Sequence, residues 1–553
     1  MNNVKGHIVD VVSREIFDGE LVIQDGKIAD IKRCTLPDRK DPWPYIMPGF
    51  IDSHVHIESS MMVPHKFARI AVSHGTIGVF ADPHEIGNVL GVEGVNYMIR
   101  SGREARFNFC FGAPSCVPAV GGDIETCGKM IDVKDTEALM ARDDIGFLGE
   151  MMNYVGVLAG DKEVMAKIKA ALDNGKPVDG HAPGLTGEQR LQYTQAGIST
   201  DHECSTLEEG RSCIKAGMKV IIREGSAAKD YNLLKPLIAE SPDMVMFCTD
   251  DCHPDDFVRG HINLIVKRAL ADGYDLWDVL QAACVNAQKH YHKHWGLLQK
   301  GDPATFITID NISPHFRVES TVINGEETFN YNSNLLSRHN DEEHILNFNF
   351  PNNFVATPIT EDDIAYDIKS GDTVHIIYAT NGSLLTGHDE IKVSGNPLFD
   401  SQYPWTEVQK IVVYNRYTPG AKPIVGLIRG FHIQKGAIAS SVAHDCHNIV
   451  AIGSNDAYLV KAINRIVKMQ GGQVVVTPHE MLDIPLPIAG LMAPMGGHEI
   501  AFRTLCIQEK VREIGCRMTS PFITMAFMCL PVIPEIKITD RHLMNTATFN
   551  PIY

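Results

Sequence analysis

The thirteen cysteines of this 553-residue chain form no Cys-x-x-Cys pair. That absence argues against a thiolate zinc site, and the odd, scattered count argues against a disulfide framework. Most of the thiols are expected in the core. Basic residues are in deficit: 50 Lys plus Arg stand against 68 Asp plus Glu, a formal charge of -18. Such a surface opposes a polyanion unless cations cluster locally, and no cluster is evident, so no nucleic-acid partner is expected. No membrane association is expected either, because the long apolar stretch near the end, Phe522 to Ile533, is broken by Pro531 and falls short of the roughly 20 residues of a span. It reads as core. Behind the early Lys5 there is no apolar run of the secretory kind, which points to the cytoplasm. Repeats and low-complexity tracts are also missing, so a solenoid is excluded.

What is present is a folded composition, 44% hydrophobic and 21% charged, in a chain long enough for two or three domains. Near the N-terminus, Asp25-Gly26 separates two β-rich runs and predicts a tight hairpin. The pattern returns late, with Thr305–Ile309, Val318–Ile323, the turn Asn324-Gly325 and Glu326–Phe329. Residues 1–45 plus 296–340 are therefore expected to complete one composite β-sandwich. Between them, short apolar strands alternate with helical segments and end near His56, Asp82, Pro114, Glu150, His181, His202, Glu224 and Asp250. Eight βα units in this length predict a (β/α)8 barrel over 46–295. Ile262, Ile265, Val266, Ala269 and Leu270 recur at helical spacing before Gly273. Residues 341–553 turn strand-rich, with turns at Asn381-Gly382 and Pro419-Gly420. They also carry one amphipathic helix, Asp456 to Gln470, with Asn455 as N-cap and Gly471 as its stop. This predicts a third, α+β domain.

Catalytic groups of such barrels stand at the C-terminal ends of strands. The first strand runs into His54-Val55-His56. Residues i and i+2 of a strand point the same way, so both imidazoles face the barrel mouth, where they can hold one metal ion. Glu150 ends an apolar run and has two oxygens with which to bridge two cations; His181, His202 and Asp250 end three more. Asp250 can both bind metal and accept a proton, whereas Asp251 is placed to hold substrate. Any one of these residues alone would read as a hydrogen-bonded core or loop residue. Six metal-ligating groups at five strand ends are hard to explain as separate packing accidents. His56-Ile57-Glu58 lacks a Pro-Cys-x-x-Cys partner, so the cysteine-ligated zinc deaminases are excluded.

Residues 1 to 335 resemble the amidohydrolase superfamily, in which a metal-dependent barrel carries a flanking β-sandwich. Many of its members bridge their metals with a carboxylated lysine at the end of strand 4. This chain has Gly149-Glu150-Met151-Met152-Asn153 there. With Ala81-Asp82-Pro83-His84-Glu85-Ile86-Gly87, Ser441-Val442-Ala443-His444-Asp445-Cys446-His447 and Leu530-Pro531-Val532-Ile533-Pro534-Glu535, it is similar along its whole length to the bacterial adenine deaminases.

That resemblance implies adenine as substrate, hydrolysed to hypoxanthine and ammonia in purine salvage, and two divalent ions per chain, Mn2+ or alternatively Fe2+. It gives His54, His56 and Asp250 to one ion, His181 and His202 to the other, and Glu150 to both. Asp250 is the expected proton acceptor, with His84 or Glu85 as donor to the ring nitrogen. Asp82 and Glu85 read equally well as a helix cap and a surface charge. Asp82, Asp251, Arg223 and His444 are expected around the substrate, Arg223 with a structural ion pair as its alternative. The His444–His447 cluster is open between a hydrogen-bonded turn, a group closing over the barrel mouth and an extra metal site. A homo-oligomer is the expected assembly. The competing expectations are a cyclic amidohydrolase of the dihydroorotase or hydantoinase type, whose lysine bridge is missing, and a purine-binding protein without turnover.

Overall fold

Two hairpin turns bring the ends of the first sheet together. Asp25 and Gly26 have φ of 49° and 73°, and Asn324 and Gly325 have 52° and 80°, the positive-φ pairs of type I′ turns. The turns meet: a Cβ on Gly26 would lie 2.7 Å from the Asn324 carbonyl oxygen, so only glycine permits the approach. The sheet has eight strands, and Tyr45–Met47 joins its halves by pairing with Val4–Asp10 on one side and Phe306–Ile309 on the other. Ile8, Leu21, Ile28, Ile46, Phe306 and Val322 from both halves fill one core. The computed structural model describes residues 3–121, 123–333, 335–336 (backbone only), 350–393, 407–546, 548 and 550–553. The boundary expected near Asp341 lies outside them.

The barrel strands are β1 (Phe50–Val55), β2 (Thr76–Ala81), β3 (Asn108–Ala113), β4 (Ile145–Met151), β5 (Val178–Gly180), β6 (Thr200–Asp201), β7 (Lys219–Arg223) and β8 (Val245–Cys248). All eight are parallel. They form a five-stranded and a three-stranded sheet, linked by bridges Val178–Ile198 and Val55–Asp250. Nearly every strand residue is buried, as expected where helices cover the outside and side chains fill the inside. Among the described residues, no helix is long and apolar enough to cross a membrane.

One buried ion pair fixes the mouth of the barrel. Arg190, on the helix Gly187–Gln195, is fully buried against Asp201 and donates to the carbonyls of Leu185 and Ala182. Asp201 in turn accepts from the Glu203 and Ala182 N–H groups. The pair thereby ties the loop after His181 to the loop after His202. Arg190→Met is expected to leave the Asp201 charge uncompensated and to destabilise the protein by about 3–5 kcal/mol. Differential scanning calorimetry would check this; an unchanged transition would make the pair dispensable.

The C-terminal region is built on a second eight-stranded sheet. Its strands alternate, so Val412, Tyr414, Ala439 and Ala451 pack under the helix Asp456–Met469, while Ile411, Val413, Ile438 and Val450 join the core that contains the barrel. Asn455 caps the helix by accepting from the Tyr458 N–H. The left-handed stop is Gln470, with φ of 58°, one residue before the Gly471 expected from sequence. Ten of the thirteen cysteines are buried and all are free thiols.

Candidate metal centre and substrate cavity

Backbone pairing at the ends of β1 and β8 sets the first ligands. The Asp250 N–H donates to the His54 carbonyl and the His56 N–H to the Asp250 carbonyl. Asp250 has a φ of 55°, which turns its carboxylate back toward the histidines. Asp52 locks the same seam from below, accepting from the Thr249 N–H and hydroxyl and facing His261 Nε2 at 2.9 Å. The Nε2 atoms of His54 and His56 converge to 3.2 Å. Asp250 Oδ1 lies 3.0 Å from His56 Nε2 and 3.7 Å from His54 Nε2.

Glu150 stands at the centre. Its Oε2 is 2.9 Å from His181 Nδ1, 3.0 Å from His202 Nε2 and 3.8 Å from His54 Nε2. Its Oε1 is 3.5 Å from both His56 Nε2 and His84 Nδ1. Burial alone would push this carboxyl up, but the His181 and His202 rings outweigh it and hold Glu150 well below the usual carboxylate range. Asp250 is likewise held low against its burial, by His56 and Arg223. The six residues expected as ligands are thus brought together, with donor sets His54–His56–Glu150, Glu150–His181–His202 and His54–His202–Asp250 each within reach of one ion.

The substrate-side expectations divide. Asp251 lines the cavity and accepts from the Ser59 hydroxyl at 2.5 Å. Arg223 also lines it, but its guanidinium is committed to Glu203, to Asp230 at 3.0 Å and to Asp250 Oδ2 at 2.9 Å. The ion-pair alternative therefore describes Arg223, and it positions Asp250. Asp82, expected against substrate, sits beneath Glu150 instead: it is absent from the cavity wall and accepts from the Glu150 N–H at 2.8 Å. Asp82 follows its strand directly, as His56 and His181 follow theirs, but its carboxylate is taken up by that backbone N–H.

Glu85 is not a surface charge, being 2% exposed. It opens the helix His84–Leu90, and its oxygens face His444 Nδ1 at 2.7 Å and, closer still, His447 Nε2. Despite burial, these two rings and His84 hold its carboxyl well below the usual range. The His444–His447 segment forms a turn, since the His447 N–H donates to the Ala443 carbonyl. It also closes over the barrel mouth, with His444 stacked on Phe527 at 4.4 Å. Two of its alternatives therefore hold together. The cavity is narrow, with about 30 Å³ of free volume. Phe527, Leu530, Ile533 and Leu384 give it an apolar wall, so part of the segment expected only as core faces the site.

Sequence reasoning passes over Glu203. It lies 3.5 Å from His202 Nε2 and 3.7 Å from His181 Nδ1, and its position directly after a strand-end histidine is the signal that could have found it. Of the pair Arg223-Glu224 that ends β7, Glu224 turns away from the site and pairs outward with Arg268 at 2.7 Å.

A parallel barrel whose strand ends present His-x-His, Glu, His, His and Asp defines a metal-dependent hydrolase of the amidohydrolase family, and residues 45–328 match that family. Residues 383–550 match the adenine deaminase C-terminal domain. Over 99% of its length the chain is 45% identical to an adenine deaminase of Salinibacter ruber, covering 98% of that protein. It is 41% identical to one of Methanosarcina mazei and 44% to one of Sulfurovum sp., again over 99% of this chain and 98% of each relative. The chain belongs to the adenine deaminase family.

Proposed function

We propose that this protein hydrolyses free adenine to hypoxanthine and ammonia at a binuclear metal centre, in purine salvage in the cytoplasm, as a homo-oligomer. The observation that carries the proposal is Glu150, one carboxylate whose two oxygens face both the His54–His56 pair and the His181–His202 pair. The donor set fits divalent ions. It is entirely nitrogen and oxygen, it is buried, and Nε2 of His54, His56 and His202 point together at the Glu150 and Asp250 carboxylates. His54, His56 and Asp250 would hold one ion, His181 and His202 the other, and Glu150 both; manganese or iron suits such ligands.

When bound, the ions supply a water whose pKa falls toward neutrality. Asp250 would hold a proton at Oδ1 and pass it to the departing amine, while Arg223 fixes Oδ2 and leaves Oδ1 facing the histidines. Of the two expected donors to the ring nitrogen that gains charge, His84 would donate, because Glu85 and Asp82 outweigh its burial and keep its imidazole protonated, while Glu85, held ionised, would support His84. The apolar wall suits a flat base and excludes bulk water.

Metal-loaded protein is expected to carry about two divalent ions per chain by elemental analysis. Chelation should slow turnover and manganese restore it. Active protein holding only traces of metal would refute the centre. Ammonia release from adenine should exceed that from adenosine by at least roughly a hundredfold in kcat/KM, because a buried ribose would be left unhydrated and unpaired. Ring opening of a cyclic amide without ammonia would favour the cyclic amidohydrolase alternative, and tight adenine binding without turnover the non-catalytic one.

A further inference from the structure

The carboxylates around the cavity are mostly occupied. Glu150 is surrounded by histidines, Asp250 is held by Arg223, Asp251 accepts from Ser59, and Glu85 lies between His444 and His447. Asp445 differs. It is 2% exposed and lines the cavity, yet its Oδ2 has no hydrogen-bond partner among the described residues. A basic nitrogen, His84 Nε2, stands 4.0 Å from that oxygen, beyond hydrogen-bond reach. A buried carboxylate oxygen without a donor is costly to maintain, which points to a donor that arrives with the ligand.

The position of Asp445 says which donor. His84 stands between the metal centre and the C-terminal segment, with Nδ1 3.5 Å from Glu150 Oε1 and Nε2 4.0 Å from Asp445 Oδ2. Glu150 and Asp445 are therefore at most two such gaps and one imidazole ring apart along a wall that His84 forms, a span that a purine with its contacts at both ends can cover. With C6 and its amino group at the centre, the far end of adenine carries the imidazole-ring N–H at N9. A carboxylate is an acceptor only, so it complements that N–H and no other group at that end. We propose that Asp445 accepts the N9–H of the bound base and thereby selects a free base over an N9-substituted one. This inference rests on the adenine deaminase reading above and adds to it a specificity-determining residue supplied by the C-terminal region.

The test compares adenine with 9-deazaadenine, which moves the imidazole N–H to N7 without adding bulk. Steady-state kinetics and calorimetric binding would be measured on manganese-loaded wild type, Asp445→Asn and Asp445→Ala. For Asp445→Ala, kcat/KM and affinity for adenine should fall roughly 10- to 100-fold, the range of a hydrogen bond to a charged group, while 9-deazaadenine should change little. The preference of wild type for adenine then collapses. Asp445→Asn keeps an acceptor oxygen and should retain part of the preference. Equal losses on both bases, or no loss on adenine, would overturn the inference, and binding decides the matter if turnover is slow. Failure of metal-loaded wild type to release ammonia from adenine would instead overturn the deaminase reading, a separate outcome of the same experiment.

Discussion

Glu150→Gln is expected to lose most of its metal and at least roughly a thousandfold in turnover, about 4 kcal/mol at 1.36 kcal/mol per decade. The amide keeps the size of the side chain but loses the negative charge. It also replaces one acceptor oxygen with an NH2 donor. In the native site both oxygens face basic nitrogens, Oε2 toward His181 and His202 and Oε1 toward His56 and His84. An amide can satisfy one of these sides and must repel a cation on the other. Elemental analysis and ammonia release on the same preparation would check both halves. Wild-type turnover with full metal would return Glu150 to a hydrogen-bonding role. Asp250→Asn should behave differently: it keeps one oxygen toward His56, so part of the metal stays, but the proton acceptor is gone and the rate falls. A near-normal rate in that variant would make Asp251 the better candidate for the acceptor.

Strand ends carried most of what the sequence revealed. An apolar run that stops at a polar residue is a local pattern, and six such residues converge because a parallel barrel brings all its strand ends to one rim. The turns were legible for the same reason, as Asp25-Gly26 and Asn324-Gly325 need positive φ whatever surrounds them. Side-chain direction beyond the strand was not legible. Asp82 and His84 are two residues apart, yet one supports Glu150 from beneath and the other reaches the cavity, because the chain turns into a helix at Pro83. Arg223 is ambiguous in sequence because its three carboxylate partners come from three separate loops. Long-range partners left no local trace: nothing near Glu85 foretells His444 and His447, nor anything near Ile124 and Thr126 their bonds to Thr539 and Asp540.

Those long-range contacts put the C-terminal region in the cavity wall, and removing it is expected to abolish activity. A chain ended before Asp341 would lose Asp445 and the apolar wall of Phe527, Leu530 and Ile533. It would also expose barrel residues now continuous with Ile411, Val413, Ile438 and Val450 in one core, so the fragment is expected to aggregate. Loss of activity in the fragment is thus ambiguous by itself, and a gentler change separates contact from folding. In His444→Ala with His447→Ala, Glu85 loses two ring partners. Each charge-assisted hydrogen bond contributes about 1.5–3 kcal/mol. Glu85 would then sit buried with His84 as its remaining basic neighbour at 3.4 Å, its carboxyl rising because burial is no longer offset. If His84, held in place by Glu85, supplies the donor to the ring nitrogen, kcat should fall by roughly 100-fold or more, while metal content stays close to wild type and the protein, though less stable, remains folded at the assay temperature. A double variant that is folded, metal-loaded and fully active would confine the C-terminal region to assembly. A truncated barrel that folds and deaminates adenine at the normal rate would confine it in the same way.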